Sequence, residues 1–193
     1  MIFDGEPKEI FVSKRFDGVL RLLNSCLSHP GRREYMECLY SHCGTLYATD
    51  GHILASAAIP EHWQGAFPTG QHYHATRGVD SWTLRRVVVN MKKFPIEETL
   101  DLMAGCDLSR RTYVGGLYNT NRSQALSELL FAVGRQGVMV DVAYVKRLNG
   151  IKRWDVVCSD SDSPVYFLND ADNICVLLMP IRQDYTNQKG KRC

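Results

Sequence analysis

The sequence has no long apolar run, no large excess of charge of one sign and no Cys-x-x-Cys pair. Without a run of about 18 apolar residues, no helix is expected to span a membrane. Lys and Arg total 23 against 21 Asp and Glu, a net charge of +2. Charge alone therefore does not point to nucleic acid; only a local concentration of it would. Seven cysteines are an odd number. Cys38, Cys158 and Cys175 lie in apolar or strand-like runs, so they read as buried free thiols in a reducing cytoplasm rather than as a disulfide framework. The opening residues Met1–Glu6 have neither a basic start nor an apolar stretch, and a secretory leader is not expected. Catalytic signatures are missing as well. There is no Gly-x-x-x-x-Gly-Lys-Ser/Thr loop, no Gly-x-Ser-x-Gly elbow and no His-Glu-x-x-His. No catalytic residue and no cofactor is expected. His72-x-His74 with His62 nearby lacks a carboxylate or cysteine at a zinc spacing, so no metal site is expected. Asp160, Asp162, Asp170 and Asp172 read as ordinary turn carboxylates.

What is present is ordinary globular material: 45% apolar and 23% charged residues over 193 positions, enough for a core and suited by length to one generous domain or two small ones, here read as a single domain, 1–193. Glu9–Ser13 is a short strand candidate. Ser13 is positioned as an N-cap for a helix over Lys14–Leu27, where Phe16, Val19, Leu20, Leu22, Leu23 and Leu27 fall mostly on one face. His29-Pro30-Gly31 ends it. Glu34–Ser41, Thr45–Ala48 and Ile53–Ile59 read as three strands, the last two joined through an Asp50-Gly51 turn. The order recurs later: a strand at Gly137–Val140, a helix over Val142–Leu148 capped by Asp141, then strands at Arg153–Ser159, Pro164–Leu168 and Ile174–Pro180. Two copies of a strand–helix–three-strand unit with antiparallel sheets make a compact α+β domain. The middle, 61–134, is less regular. His62–Gly78 reads as loop, Trp82–Met91 as a strand or short helix, Arg110–Tyr118 as a strand, and Pro95–Ala104 and Ser123–Val133 as helices. The polar, basic end, 183–193, reads as a flexible tail.

Two stretches carry the strongest signal. Residues 47–54 are Tyr-Ala-Thr-Asp-Gly-His-Ile-Leu, and residues 176–182 are Val-Leu-Leu-Met-Pro-Ile-Arg. They resemble the Ala-Thr-Asp-Gly-His-Arg-Leu and Met-Pro-Met-Arg-Leu signatures of the bacterial DNA polymerase III sliding clamp, the β subunit. The resemblance covers about Phe11–Pro60 and about Val138–Arg182, and it implies a DNA-clamp-like domain in which 61–134 includes a large central insertion. It departs at Ile53, where that family often has a basic residue.

The resemblance also implies a site. Clamps dock short linear peptides of polymerases and repair proteins in an apolar pocket. Its counterparts here are Thr49, His52 and Leu54, with Met36 from the preceding strand, and Leu177, Leu178, Met179 and Pro180. Methionine suits such a pocket because it repacks around different partners. In the family the two signatures come from neighbouring domains. Here one chain carries both, so the pocket forms between protomers, within one chain, or not at all. Taken alone, His52 also reads as a hydrogen-bonded turn histidine, and Met179-Pro180 as the end of an edge strand. Clamp helices face duplex DNA non-specifically. The basic residues in those places are Lys14, Arg15 and Arg21 on the first helix, and Lys146, Arg147, Lys152 and Arg153 near the second. Non-specific phosphate contact needs little beyond clustered positive charge; a solvated helix face is the plainer reading. The implied function is a clamp-like DNA replication and processivity factor that binds double-stranded DNA, recruits replication or repair proteins through their peptides and assembles as a homo-oligomer in the cytoplasm. The alternative is an adaptor or regulator that keeps the fold without encircling DNA. An unrelated nucleic-acid-processing enzyme, with its site in 61–134, is the third.

Overall fold

A computed structural model of the chain describes residues 1–31, 33–89, 98, 112–114, 122–148, 151, 153–158 and 161–181. Among these residues ten strands form one antiparallel sheet: β1 (Ile2–Ile10), β2 (Leu39–His42), β3 (Thr45–Thr49), β4 (Ile53–Ala58), β5 (Gln71–Arg77), β6 (Trp82–Val88), β7 (Thr112–Val114), β8 (Trp154–Val157), β9 (Val165–Asn169) and β10 (Ile174–Leu178). Their order across the sheet is β1-β6-β5-β2-β3-β4-β10-β9-β8-β7. Among the described residues three α-helices accompany them: α1 (Lys14–Ser25), α2 (Arg122–Arg135) and α3 (Val142–Arg147). The expected α+β class, with a duplicated element and antiparallel pairing, is what the chain adopts.

The duplication centres on β4 and β10. The hairpin series β2-β3-β4 and its counterpart β8-β9-β10 meet along that antiparallel pair, in register from Ile53 opposite Leu178 to Ala57 opposite Ile174. One further bond closes each end: Met179 N–H to His52 O at 3.0 Å, and Ala58 N–H to Asn173 O at 3.1 Å. The arrangement has the symmetry of a local twofold axis.

The alternation of strand side chains splits the apolar residues into two layers. On one face Ile53, Ala55 and Ala57 of β4 and Ile174, Val176 and Leu178 of β10 pack with Leu20 and Leu23 of α1 and Val145 of α3. On the other, Leu54 and Leu177 join Tyr35, Tyr47, Val157 and Tyr166. The helix caps act as expected. Ser13 Oγ accepts from Phe16 N–H at 3.3 Å, and Asp141 Oδ1 accepts from Ala143 N–H at 2.8 Å.

Four local expectations change. Glu34–Glu37 is a 3-10 turn leading into β2, not strand. The stretch expected as loop, His62–Gly78, contains a 3-10 helix, Glu61–Ala66, and most of β5. Its Tyr73 and Ala75 alternate into the main core, a period-two signal interrupted by histidines. Gly137–Val140 is not a strand; its bond to the rest of the sheet region is Ile181 N–H to Met139 O, 2.7 Å. The first strand is longer than Glu9–Ser13 and is paired with β6 at one end of the sheet. Its solvent-facing course carries a register shift between Asp4 and Lys8, with Gly5 at φ +76°. A bulge, a proline and charged side chains discourage further pairing on such an edge. Of the stretch expected as strand or short helix, Trp82–Val88 is the strand β6, and the helix expected over Ser123–Val133 is present as α2. The Pro95–Ala104 helix, apart from Glu98, and the 183–193 tail lie outside the described residues.

Burial sorts the thiols. Cys26, Cys38 and Cys158 are buried, Cys175 is half-buried and Cys43 is exposed. Burial pushes both Cys26 and Cys38 up to about 12, so neither holds appreciable thiolate near neutrality. Iodoacetamide at neutral pH, followed by peptide mapping, is expected to label Cys43 in the folded chain and to reach Cys26 and Cys38 only in denaturant. Labelling of Cys26 at the Cys43 rate would contradict its burial.

Candidate partner-docking site

The Thr49-Asp50-Gly51-His52 turn is organised by two side chains. Asp50 Oδ1 accepts from the backbone N–H of His52 and Ile53, at 3.0 and 3.1 Å. Thr49 Oγ1 donates to Ile53 O at 2.7 Å and accepts from Gly51 N–H at 3.0 Å. Gly51 sits at φ +93°, with the Met36 methyl 3.3 Å from where a Cβ would stand. A side chain there would meet both left-handed backbone strain and Met36. This is why the tight turn needs Asp followed by Gly.

The second oxygen of Asp50 reaches across the molecule. Arg147 Nη1, at the end of α3, donates to Asp50 Oδ2 at 2.8 Å, and the same guanidinium lies 4.5 Å from the Tyr144 ring centroid. Asp50 is 8% exposed, so this charge is shielded and paired. Burial first, and the nearby Asp50 carboxylate second, push the Tyr144 hydroxyl above its ordinary range. The His52 and Tyr144 rings are 6.1 Å apart. On the other side, the Met179 N–H bond to His52 O holds the start of the Met179-Pro180-Ile181 segment against the turn. The two sequence signatures therefore meet within one chain.

Around this junction, apolar side chains are left in solvent. Met139, Val142, Met179 and Ile181 are 49%, 41%, 42% and 46% exposed, and the Met139–Ile181 backbone bond joins two of them directly. His52 is exposed and Pro180 half-exposed. The other residues implied by resemblance are less open. Leu54 and Leu177 face each other across the β4–β10 pair in the second apolar layer, and Leu178 points into the main core. Met36 and Thr49 are half-buried against the turn. Asp50, Tyr144, Met139 and Val142 were not singled out from sequence. The Asp-Gly pair was the one signal for Asp50; the others depend on how α3 docks.

The basic residues implied to face DNA divide by their partners in the fold. Arg15 donates to Asp172 Oδ1 and Ala171 O of the β9–β10 turn. Arg21 pairs with Asp17 at 3.1 Å, and Arg147 with Asp50. Lys14 and Lys146 are exposed and make no ion pair with a described residue. Arg153 is exposed, and Lys152 lies outside the described residues. Three of the arginines thus hold the molecule to itself. Among the described residues no group of three or more His, Cys, Asp or Glu could hold a metal ion. No helix among them is long and apolar enough to cross a membrane.

No protein-family model matches this sequence, and no curated protein does. Solved structures do. The DNA polymerase sliding clamp of Bacillus subtilis aligns over 95% of this chain and 66% of its own, with TM-score 0.56 and 12% identity. The Helicobacter pylori beta clamp bound to a DNA ligase peptide aligns over 94% and 67%, with TM-score 0.53 and 9% identity. The Pseudomonas aeruginosa DNA polymerase III subunit beta bound to griselimycin aligns over 94% and 68%, with TM-score 0.52 and 17% identity. At such identities it is the fold that is shared. The resemblance read from two short signatures is thus matched in three dimensions: this chain has the fold of the bacterial DNA polymerase III sliding clamps.

Proposed function

We propose that the chain is a clamp-like factor of DNA replication, a binding protein rather than an enzyme, that recruits partners through short linear peptides. It acts in the cytoplasm as a clamp-like unit in which part of 61–134 is an insertion. One observation carries the reading: the Met179 N–H to His52 O bond sets the Thr-Asp-Gly-His turn beside Met179-Pro180, under a rim of exposed methionine, valine and isoleucine. Such a rim takes an apolar anchor, while the turn offers a few fixed polar groups. The clamp fold, in one structure holding a ligase peptide, supports the same assignment. The partners are replication or repair proteins. Duplex DNA contacts are supplied non-specifically by Lys14, Lys146 and the neighbouring basic residues, including Lys152 and Arg153.

The test uses the DNA ligase peptide, fluorescently labelled, in a polarisation titration. His52→Ala with Met179→Ala is expected to abolish its binding with an unchanged far-UV spectrum, since both side chains are exposed. Unchanged affinity in the double variant removes this site from the function.

The adaptor reading, a clamp fold that does not encircle DNA, is favoured by a specific observation. Arg15, Arg21 and Arg147 are engaged within the chain, which lowers the positive charge free for phosphate. Light scattering with and without a DNA duplex separates the two. A closed oligomer, or one that forms on DNA, supports the processivity factor; a monomer indifferent to DNA supports the adaptor.

A further inference from the structure

The local twofold makes a demand on the other end of the β4–β10 pair. β10 is followed by Met179-Pro180 beside the β3–β4 turn. β4, in the same way, is followed by Ile59-Pro60 beside the β9–β10 turn, with Ala58 N–H bonded to Asn173 O as Met179 N–H is bonded to His52 O. At the first site α3 is tied to the turn of the opposite half through Arg147 and Asp50. At the second, α1 is tied to the turn of the opposite half through Arg15 and Asp172. Both ends of the β4–β10 pair therefore bring together a proline-containing strand exit, a turn of the opposite half and a helix arginine bound to that turn, with Arg15 at the start of α1 and Arg147 at the end of α3.

The second set encloses an open cavity of about 390 Å³, bounded by the start of α1, the exit of β4 and the β9–β10 turn. That lies within the usual size range of ligand sites. Its apolar floor is Phe16, Val19 and Ile59, each under 5% exposed. Its rim is polar. Asp172 is engaged by Arg15. Glu61, next to Pro60, is exposed and makes no ion pair with a described residue.

We propose that this cavity is a second peptide-docking site, twofold-related to the first, for a short linear segment that places an apolar anchor on Phe16, Val19 and Ile59 and a basic residue beside Glu61. The ligand class rests on the function proposed above; the position rests on the cavity and its symmetry. A chain with both sites engages two partner segments at once, one at each end of the β4–β10 pair. The sites differ in charge preference: the turn carboxylate is paired at both, Asp50 with Arg147 and Asp172 with Arg15, and the second adds Glu61, which makes no ion pair with a described residue.

The probe is a labelled synthetic peptide with a Leu-Phe anchor flanked by lysines, titrated against the full chain; the same peptide with glutamates is the comparison. The wild-type chain is expected to bind the lysine form more tightly. Glu61→Lys, an exposed substitution, is expected to weaken it about tenfold and to favour the glutamate form, because a matched rim charge becomes a repulsive one. Ala171→Trp, at the cavity mouth, is expected to weaken both forms, and Met179→Ala neither. The proposal is overturned if the lysine peptide does not bind or if Glu61→Lys leaves its affinity unchanged. It is also overturned if Ala171→Trp has no effect, which would put the binding outside the cavity. Failure of the first site shows separately, as ligase-peptide binding indifferent to the His52/Met179 double variant.

Discussion

Asp50→Ala is expected to cost about 3 kcal/mol of stability and to abolish docking of the ligase peptide. The loss has two parts. Two backbone N–H groups, of His52 and Ile53, lose their shared acceptor, at roughly 1 kcal/mol each for partly buried donors. Arg147 loses its carboxylate while its side chain is 26% exposed, and an ion pair half withdrawn from water is costly to break from one side. The local consequence is larger than the global one. With the turn loosened, His52 O no longer holds Met179 N–H in place, and the rim of the site separates. Urea denaturation measures the first part and peptide polarisation the second. Asp50→Asn is the informative comparison: it keeps an oxygen for the two backbone donors but removes the charge facing Arg147. Stability in Asp50→Ala within about 0.5 kcal/mol of wild type, the scale of an ordinary surface change, would show that the turn is held by something else.

Asp17→Ala is expected to cost about 2 kcal/mol, from the edge of the sheet rather than its centre. Asp17, on α1, accepts from Arg77 of β5 at 2.9 Å and from the Trp82 indole of β6 at 2.9 Å, and pairs with Arg21 at 3.1 Å. Trp82 is 1% exposed, so its N–H would be left buried without an acceptor, the expensive part of the change. The arginines are largely solvated, and their pairs contribute little. Burial pushes the Asp17 carboxyl up, but the hydrogen bonds from Arg77 and Trp82 and the charges of Arg21 and Arg77 outweigh it. The net direction is below the ordinary carboxylate range. A carboxyl depressed in the folded state stabilises above its unfolded value, about 3.9. That contribution fades as pH falls through the folded value. The stability gap between wild type and Asp17→Ala should therefore hold steady from neutral pH down to about pH 5 and narrow below pH 4. A gap that widens on acidification would assign Asp17 no role as an ionised acceptor.

Local hydrogen bonds and short-range periodicity were legible in the sequence. Ser13 and Asp141 cap helices through N–H groups two or three residues on, and the β3–β4 hairpin is written in Asp50-Gly51. Segments whose pairing partners are distant in sequence were not legible. β5 interleaves His72 and His74 with the buried Tyr73 and Ala75 and reads as loop until β2 and β6 flank it. Glu34–Glu37 reads as the start of a strand, yet it packs as a 3-10 turn with Tyr35 in the second apolar layer. The candidate site followed the same division. Thr49, His52, Met179 and Pro180 stood out as motifs, while Met139, Val142 and Tyr144 lie too far away in the chain, on a separate element, to be joined to them.

By itself, then, the sequence determined the helix starts, the hairpin turns, the alternation that gives the sheet two apolar faces, and two signatures pointing to a clamp-like fold. Those depend on interactions spanning a few residues, which spacing encodes directly. Only the tertiary structure decided that the two signatures meet across β4 and β10 in one chain. It also decided that Arg15 and Arg147 are held by carboxylates of the opposite half, and that a cavity opens between the start of α1, the exit of β4 and the β9–β10 turn. These depend on a strand register linking residues more than a hundred positions apart. Many registers satisfy the same alternating pattern; side-chain packing on both faces of the sheet selects one.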